Sequence, residues 1–163
     1  NVRLEKPMST FFSKSCEYGL QAVLYLAKRN NSRPLHLQEI ASALHLPQEF
    51  LSKILQKLSR AEIVKSHRGN RGGFNLAMPA EQIMLGDVVA AVDGIEFLNK
   101  CVTGFAECSD EYPCPLHPYW KEIRVIISRM LNEKNVAGLS KGIDIKIGLL
   151  DRGYSRRRTL RSV

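Results

Sequence analysis

Leu37-Gln38-Glu39-Ile40-Ala41-Ser42-Ala43-Leu44, then His45-Leu46-Pro47, then Gln48-Glu49-Phe50-Leu51-Ser52-Lys53-Ile54-Leu55-Gln56-Lys57-Leu58 is the stretch that decides the fold. Leu37, Ile40, Ala41 and Leu44 recur at helical spacing, so the first eight residues read as a short helix with one apolar face. His45-Leu46 is the turn. Pro47 fits the first position of the next helix, where a missing N–H is no loss. That helix is expected from Pro47 to about Ala61, burying Phe50, Leu51, Ile54, Leu55 and Leu58. Its other face offers Gln48, Glu49, Ser52, Lys53, Gln56 and Lys57. Two short helices, a tight turn and a polar outer face match a helix-turn-helix, although an ordinary helical hairpin has the same pattern.

The next residues separate these readings. Ile63 to His67 is strand-like, Arg68-Gly69-Asn70-Arg71-Gly72-Gly73 is a glycine-rich turn, and Phe74-Asn75-Leu76 alternates as a second strand. A hairpin directly after a helix-turn-helix is a wing. Arg68 and Arg71 sit at its tip among small residues, which let backbone approach DNA while a guanidinium enters a narrow minor groove. A phosphate-cradling loop is the rival, but no G-x-x-x-x-G-K-[ST] pattern is present.

Outward from this unit, Ser13 to Arg29 reads as a helix with Leu20, Val23, Leu24 and Ala27 on one side. Asn30 to Pro34 breaks it. After Met78-Pro79, Gly86 to Asp93 reads as helical, stopped by Gly94. Tyr119 to about Lys134 is the longest helix. Its stripe of Trp120, Ile123, Ile126, Ile127, Met130 and Leu131 covers either this subunit's own core or, more economically, a dimer seam. Met8 is expected to be the native start. The expected fold is mainly α with a small β wing. Residues 8–95 form the winged helix-turn-helix domain and 96–118 a cysteine loop. Residues 119–150 hold the dimerisation helix, and 151–163 are a basic tail without fixed structure.

The formal net charge of +8 over 163 residues is unevenly spread. Residues 13–76 carry ten basic and four acidic side chains, whereas residues 77–150 carry seven basic and ten acidic. The front half is therefore the part suited to a polyanion. No window approaches the roughly 18 apolar residues of a membrane span, and no signal peptide is recognisable, so a cytoplasmic location is expected.

Three of the four cysteines lie close together, as Cys101-x6-Cys108-x5-Cys114, and His117 follows three residues after the last. Without a secretion signal, metal or redox chemistry is a better reading than disulfides. Cys3His suits a zinc site, the thiolates suit an iron–sulfur cluster, and a thiol–disulfide switch is the third possibility. Residue types alone do not separate them. Cys16 stands alone in a helix, where a cysteine usually acts as a small apolar residue. No catalytic constellation is present: His36, His45, His67 and His117 are scattered, and neither G-x-S-x-G nor H-E-x-x-H occurs. A small iron–sulfur electron carrier would not need the helix-turn-helix.

From about Phe12 to Leu139 the chain resembles the bacterial winged-helix regulators typified by IscR and NsrR, the Rrf-two family. The resemblance rests on Tyr18-Gly19-Leu20, on Leu51 to Leu58, on Arg68-Gly69-Asn70-Arg71-Gly72-Gly73-Phe74 and on Gly86 to Asp93. Its most specific part is the Cys101, Cys108, Cys114, His117 array followed by Trp120. It implies a homodimeric transcription regulator, a repressor in the simplest case. Such a protein would bind palindromic double-stranded DNA and sense iron, nitric oxide or redox state through a [2Fe–2S] or [4Fe–4S] cluster. The IscR-like pattern carries an acidic residue where Ser52 stands, so operator identity does not transfer.

On this reading Lys53, Lys57 and Lys65 pair with phosphates, and Gln48, Glu49 and Ser52 reach base edges. Arg68, helped by Arg71, enters the minor groove. Cys101, Cys108 and Cys114 are cluster ligands. The resemblance offers two fourth ligands: His117, local to the array, and Glu17, at the position where NsrR-like relatives supply an acidic ligand from the partner's first helix. The general preference for imidazole favours His117.

Overall fold

A computed structural model describes residues 11–29, 33–69 and 72–143. Helix α1 spans Lys14–Lys28 and starts one residue after Ser13, because Ser13 is its cap. The Ser13 hydroxyl accepts from the Cys16 N–H at 3.1 Å, satisfying one of the donors that a helix start leaves unpaired. Helix α2 spans Leu37–Leu44. Here Glu39 reaches back, accepting from the His36 N–H at 2.8 Å while the Arg33 guanidinium holds it at 2.7 and 3.1 Å. The Arg33 hydrogen bonds first, and then that from the His36 N–H, pull the Glu39 carboxyl down to about 2.

His45 turns the chain in a left-handed backbone conformation, φ 52°. Helix α3 spans Gln48–Arg60 with Pro47 as its cap rather than its first residue. Leu51, Ile54, Leu55 and Leu58 are buried as expected. Phe50 is not: it is 57% exposed, because it shares the outward face of the first turn with Gln48 and Glu49. Strands β1 (Val64–His67) and β2 (Gly73–Leu76) pair antiparallel, with Val64 opposite Leu76 and His67 opposite Gly73. The wing is anchored from outside by Leu35, which exchanges 2.8 and 2.9 Å backbone hydrogen bonds with Phe74. That close approach explains Gly73: its φ is +150°, and a Cβ there would lie 2.4 Å from the Leu35 carbonyl oxygen.

Helix α4 (Leu85–Val92) follows, then a 3-10 turn at Glu96–Asn99 that periodicity did not announce. Helix α5 spans His117–Glu133 and the short α6 spans Val136–Ser140. The α5 helix begins two residues before Tyr119, so His117 is its first residue and Pro118 its second. One apolar cluster runs from Cys16, Val23 and Leu26 through α2, α3 and α4 to Ile127, Leu131 and Val136. Gly19 lets α1, α3 and α4 meet there: a Cβ would fall 3.2 Å from Val92 and 3.3 Å from Ile54. Fully buried leucines such as Leu51, Leu55 and Leu58 each contribute roughly 1.5–3 kcal/mol.

The α5 stripe divides. Ile127 and Leu131 enter this chain's own core and Trp120 packs at its edge, whereas Ile123 (46%), Ile126 (66%) and Met130 (38%) face outward. Among the described residues no helix is long and apolar enough to cross a membrane. Met8, Asn70, Arg71 and the tail 151–163 lie outside the described residues.

Candidate metal centre and nucleic-acid interface

The cysteine loop hangs between α4 and α5, and α5 grips its approach. The Trp120 indole donates to the Lys100 carbonyl at 2.9 Å, and Arg124 donates to the Leu98 carbonyl at 3.2 Å. These bonds bring Cys101 back beside the start of α5. The predicted ligands then come together as two pairs. Cys101 Sγ lies 4.0 Å from Cys114 Sγ, and Cys108 Sγ lies 3.4 Å from His117 Nδ1. Two thiolates on one tetrahedral metal lie roughly 3.8 Å apart, and a thiolate and an imidazole roughly 3.6 Å, from ordinary bond lengths. Both pairs fit that spacing. Among the described residues no three His, Cys, Asp or Glu side chains gather around one point. The donor types suit an iron–sulfur cluster or a tetrahedral ion.

The electrostatics suit an anionic centre. Hydrogen bonds from Thr103, whose hydroxyl is 2.9 Å away, bring the Cys101 thiol down to about 7. The positive end of α5 faces the Cys114–His117 corner, and the His117 N–H donates to the Cys114 carbonyl at 2.9 Å. His117 is only 5% exposed. Its Nε2 meets Asp110 Oδ1 at 3.0 Å, and Lys121 Nζ meets the two Asp110 oxygens at 2.8 and 2.9 Å. Lys121, and after it His117, hold the Asp110 carboxyl below its usual range. Neither Asp110 nor Lys121 stood out in the sequence. The available signal was Lys121 four residues after His117, on the same helical face.

Cys16 behaves as the apolar residue expected. It is wholly buried, and burial, reinforced by Asp93, pushes its thiol up to about 12. Glu17 sits in the first turn of α1, paired with Lys14 at 2.5 Å.

On the nucleic-acid side, Gln48, Glu49 and Lys53 are exposed on α3, with Ser52 half-buried beside them. Lys65 and Arg68 are exposed on the wing. The turn end of the wing is braced by His67 Nε2 against Asn75 Oδ1 at 2.8 Å. Lys57 is exposed and has an engagement that the sequence did not announce: its ammonium donates to the Val92 carbonyl at 3.1 Å, at the C-terminal end of α4. The same end of α4 carries Asp93, which accepts from both the Ser13 hydroxyl and the Ser13 N–H. Helices α3 and α1 are thus both tied to the residues that lead into the cysteine loop.

A family model described as Rrf2, iron-dependent transcriptional regulator, matches residues 12–142. The chain belongs to the Rrf2 family. It is 33% identical over 129 residues to an HTH-type transcriptional regulator of Haemophilus influenzae, covering 79% of this chain and 85% of that one. It is 31% identical over 128 residues to the HTH-type transcriptional regulator IscR of Vibrio atlanticus, covering 78% and 73%. Among solved structures, CymR, the global cysteine regulator of B. subtilis, superposes with a TM-score of 0.66 at 26% identity, over 80% of this chain and 95% of that one. This Rrf2 protein is therefore a winged-helix transcription regulator, from a family that is not enzymatic.

Proposed function

We propose that this chain is a DNA-binding repressor that senses iron, nitric oxide or redox state through an iron–sulfur cluster. Cys101, Cys108, Cys114 and His117 hold the cluster. The observation that carries this reading is the pair of ligand pairs, at 4.0 and 3.4 Å, in a loop slung from a winged helix-turn-helix. Two ligands per metal favour [2Fe–2S] over a tetrahedral zinc. When bound, the cluster supplies an anion reactive toward oxidants and nitric oxide. The chain's own residues do the rest. Gln48, Glu49 and Ser52 read base edges, while Lys53 and Lys65 meet phosphates. Arg68, with Arg71, enters the minor groove. Lys57 serves first as a brace to α4.

The outward residues Tyr119, Ile123, Ile126 and Met130 recur at steps of four, three and four along α5, the geometry of a helix-to-helix seam. We assign them to a homodimer that matches a palindromic operator. In the working molecule residues 8–95 read DNA, 96–118 sense, and 119–150 pair subunits. The chain would act in the cytoplasm.

The test is anaerobic purification with absorption spectra and iron, sulfide and zinc assays, followed by gel shifts of loaded and stripped protein across a salt series. Sulfide matching iron, with binding that changes on stripping, is expected. A colourless protein with stoichiometric zinc overturns the cluster. No binding at low salt overturns the regulator.

A second reading is favoured by one observation. Cys101 and Cys114 sulfurs 4.0 Å apart, one of them with a lowered pKa, are placed to form a disulfide when an oxidant such as a peroxide takes their two electrons and two protons. Peroxide-treated stripped protein whose Cys101–Cys114 crosslink alone switches DNA binding would select this reading.

A further inference from the structure

Asp110 lies beside the proposed ligands without being one of them. It stands two residues after Cys108, and the two side chains bracket one imidazole: Cys108 at His117 Nδ1, Asp110 at His117 Nε2. Such an arrangement settles which ring nitrogen carries the proton. A carboxylate only accepts, so it takes the Nε2 proton and leaves the Nδ1 lone pair directed toward Cys108 and the space beside it. The ring is buried, and water does not compete freely for it.

Asp110 on its own would be a weak brace, because its side chain is 73% exposed. It is held from a second side. Lys121 is one turn along α5 from His117 and engages both Asp110 oxygens. The carboxylate is thus fixed between two side chains of one helix, and it fastens the middle of the loop to the start of α5.

We propose that Asp110, clamped by Lys121, is a positioning residue for His117. It orients the imidazole and fixes its tautomer so that Nδ1, on the Cys108 side of the ring, is the atom that would bind metal. The inference rests on the cluster reading above and assigns a support that the ligand set alone does not contain. Removing a carboxylate behind a ligating histidine typically weakens a metal site roughly 10–100-fold. The two members of the clamp carry opposite charges, so their removal shifts a nearby redox centre in opposite directions.

The experiment uses the full chain labelled with 15N-histidine and purified anaerobically, as wild type and as Asp110→Asn, Asp110→Ala, Asp110→Glu and Lys121→Met. Four quantities are read: nitrogen hyperfine coupling of the reduced cluster, its reduction potential, its rate of loss to a chelator, and the melting curve of the stripped protein. The wild type is expected to show coupling from one histidine nitrogen. Asp110→Ala should lose or shift that coupling and release the cluster about tenfold faster. Asp110→Glu should restore most of it. Asp110→Asn should raise the potential and Lys121→Met should lower it. Stripped-protein melting should be unmoved throughout, since Asp110 lies outside the apolar core. An Asp110→Ala protein with unchanged coupling, potential and release rate overturns the proposal, as does a loaded wild type with no histidine coupling. A wild type that holds no cluster overturns the cluster reading itself and this inference with it, and is told apart by its missing iron and sulfide. Should Asp110→Ala fold poorly, the nitrogen coupling and release rate of Asp110→Asn and Lys121→Met decide in its place, unchanged values in both overturning the proposal.

Discussion

The winged domain and the cysteine loop sit side by side and are held by different physics. In the first, Leu51, Leu55 and Leu58 are fully buried, and three helices converge so closely that a methyl group at Gly19 would press on Val92 and Ile54. In the second, Val102, Phe105 and Tyr112 point into solvent, and regular secondary structure is absent from residues 101–116. Its internal backbone bonds are few, such as Gly104 N–H to the Cys101 carbonyl at 3.0 Å. The first region stands on area removed from water. The second stands on a handful of polar contacts and on whatever its sulfurs hold. Under the proposed function a rigid reader lies next to a soft sensor, a sound division because a region that responds should be one of low local stability.

The sharpest way to break the comparison is through the core. Leu55→Ala should cost roughly 2–5 kcal/mol and lower the denaturant midpoint of the whole protein, loop included. A loss confined to the loop would show that the two regions are not so ordered. Stripping the centre with a chelator is the converse test. It should leave the main unfolding transition nearly in place while opening residues 102–113 to limited proteolysis. A stripped protein that loses its cooperative transition would move the loop into the core's class.

Arg68→Ala probes the reader without touching either support. Operator affinity should fall more than about tenfold, which is about 1.4 kcal/mol, with the circular dichroism unchanged. Equal affinity and an equal footprint would remove the wing from the interface. His117→Ala and Glu17→Ala probe the sensor. The first should alter the cluster spectrum and its lifetime more than the second, with both variants dimeric by light scattering. The reverse order would place the fourth ligand on the partner's first helix and tie the soft region of one subunit to the rigid region of the other.

The smallest expected effect is Glu39→Gln, which loosens the start of α2. The folded Glu39 pKa of about 2 lies below its ordinary value, so its stabilisation is complete above roughly pH 5. It fades as pH falls toward 2. With the side chain 39% exposed, the difference from the variant should be roughly 0.5 kcal/mol at neutral pH, seen as a small midpoint shift that shrinks in acid.

Much of the winged domain was legible because its physics is periodic. Leu37 to Leu44 and Leu51 to Leu58 repeat every three or four residues, and the glycine run between two strand-like segments announced the wing. The error fell where one residue must choose a side. Phe50 was read as buried because it is apolar, yet it stands three positions before Lys53 on the outer face. Lys57 is exposed, and beside the phosphate contact expected of it the structure shows a hydrogen bond that the sequence did not announce, to the Val92 carbonyl at the end of α4. The cysteines and histidine of the loop stood out by their spacing. The two-and-two grouping was not, since it depends on how Trp120 and Arg124 fold the loop back over α5. Asp110 was invisible for the same reason: one more acid in an acidic loop acquires meaning only when Lys121 and His117 close on it.

The split stripe of α5 has a consequence in quantity rather than shape. With Ile127 and Leu131 committed inward and Ile123, Ile126 and Met130 left outward, one helix serves both a fold and the proposed pairing. The population of paired protein then grows with the square of the free chain concentration while chains are scarce. A modest rise in synthesis would produce a disproportionate rise in occupied operator, and the folded state itself would gain stability with concentration by mass action. Copy number would thus act as a second input on the switch, alongside the one at the sulfurs.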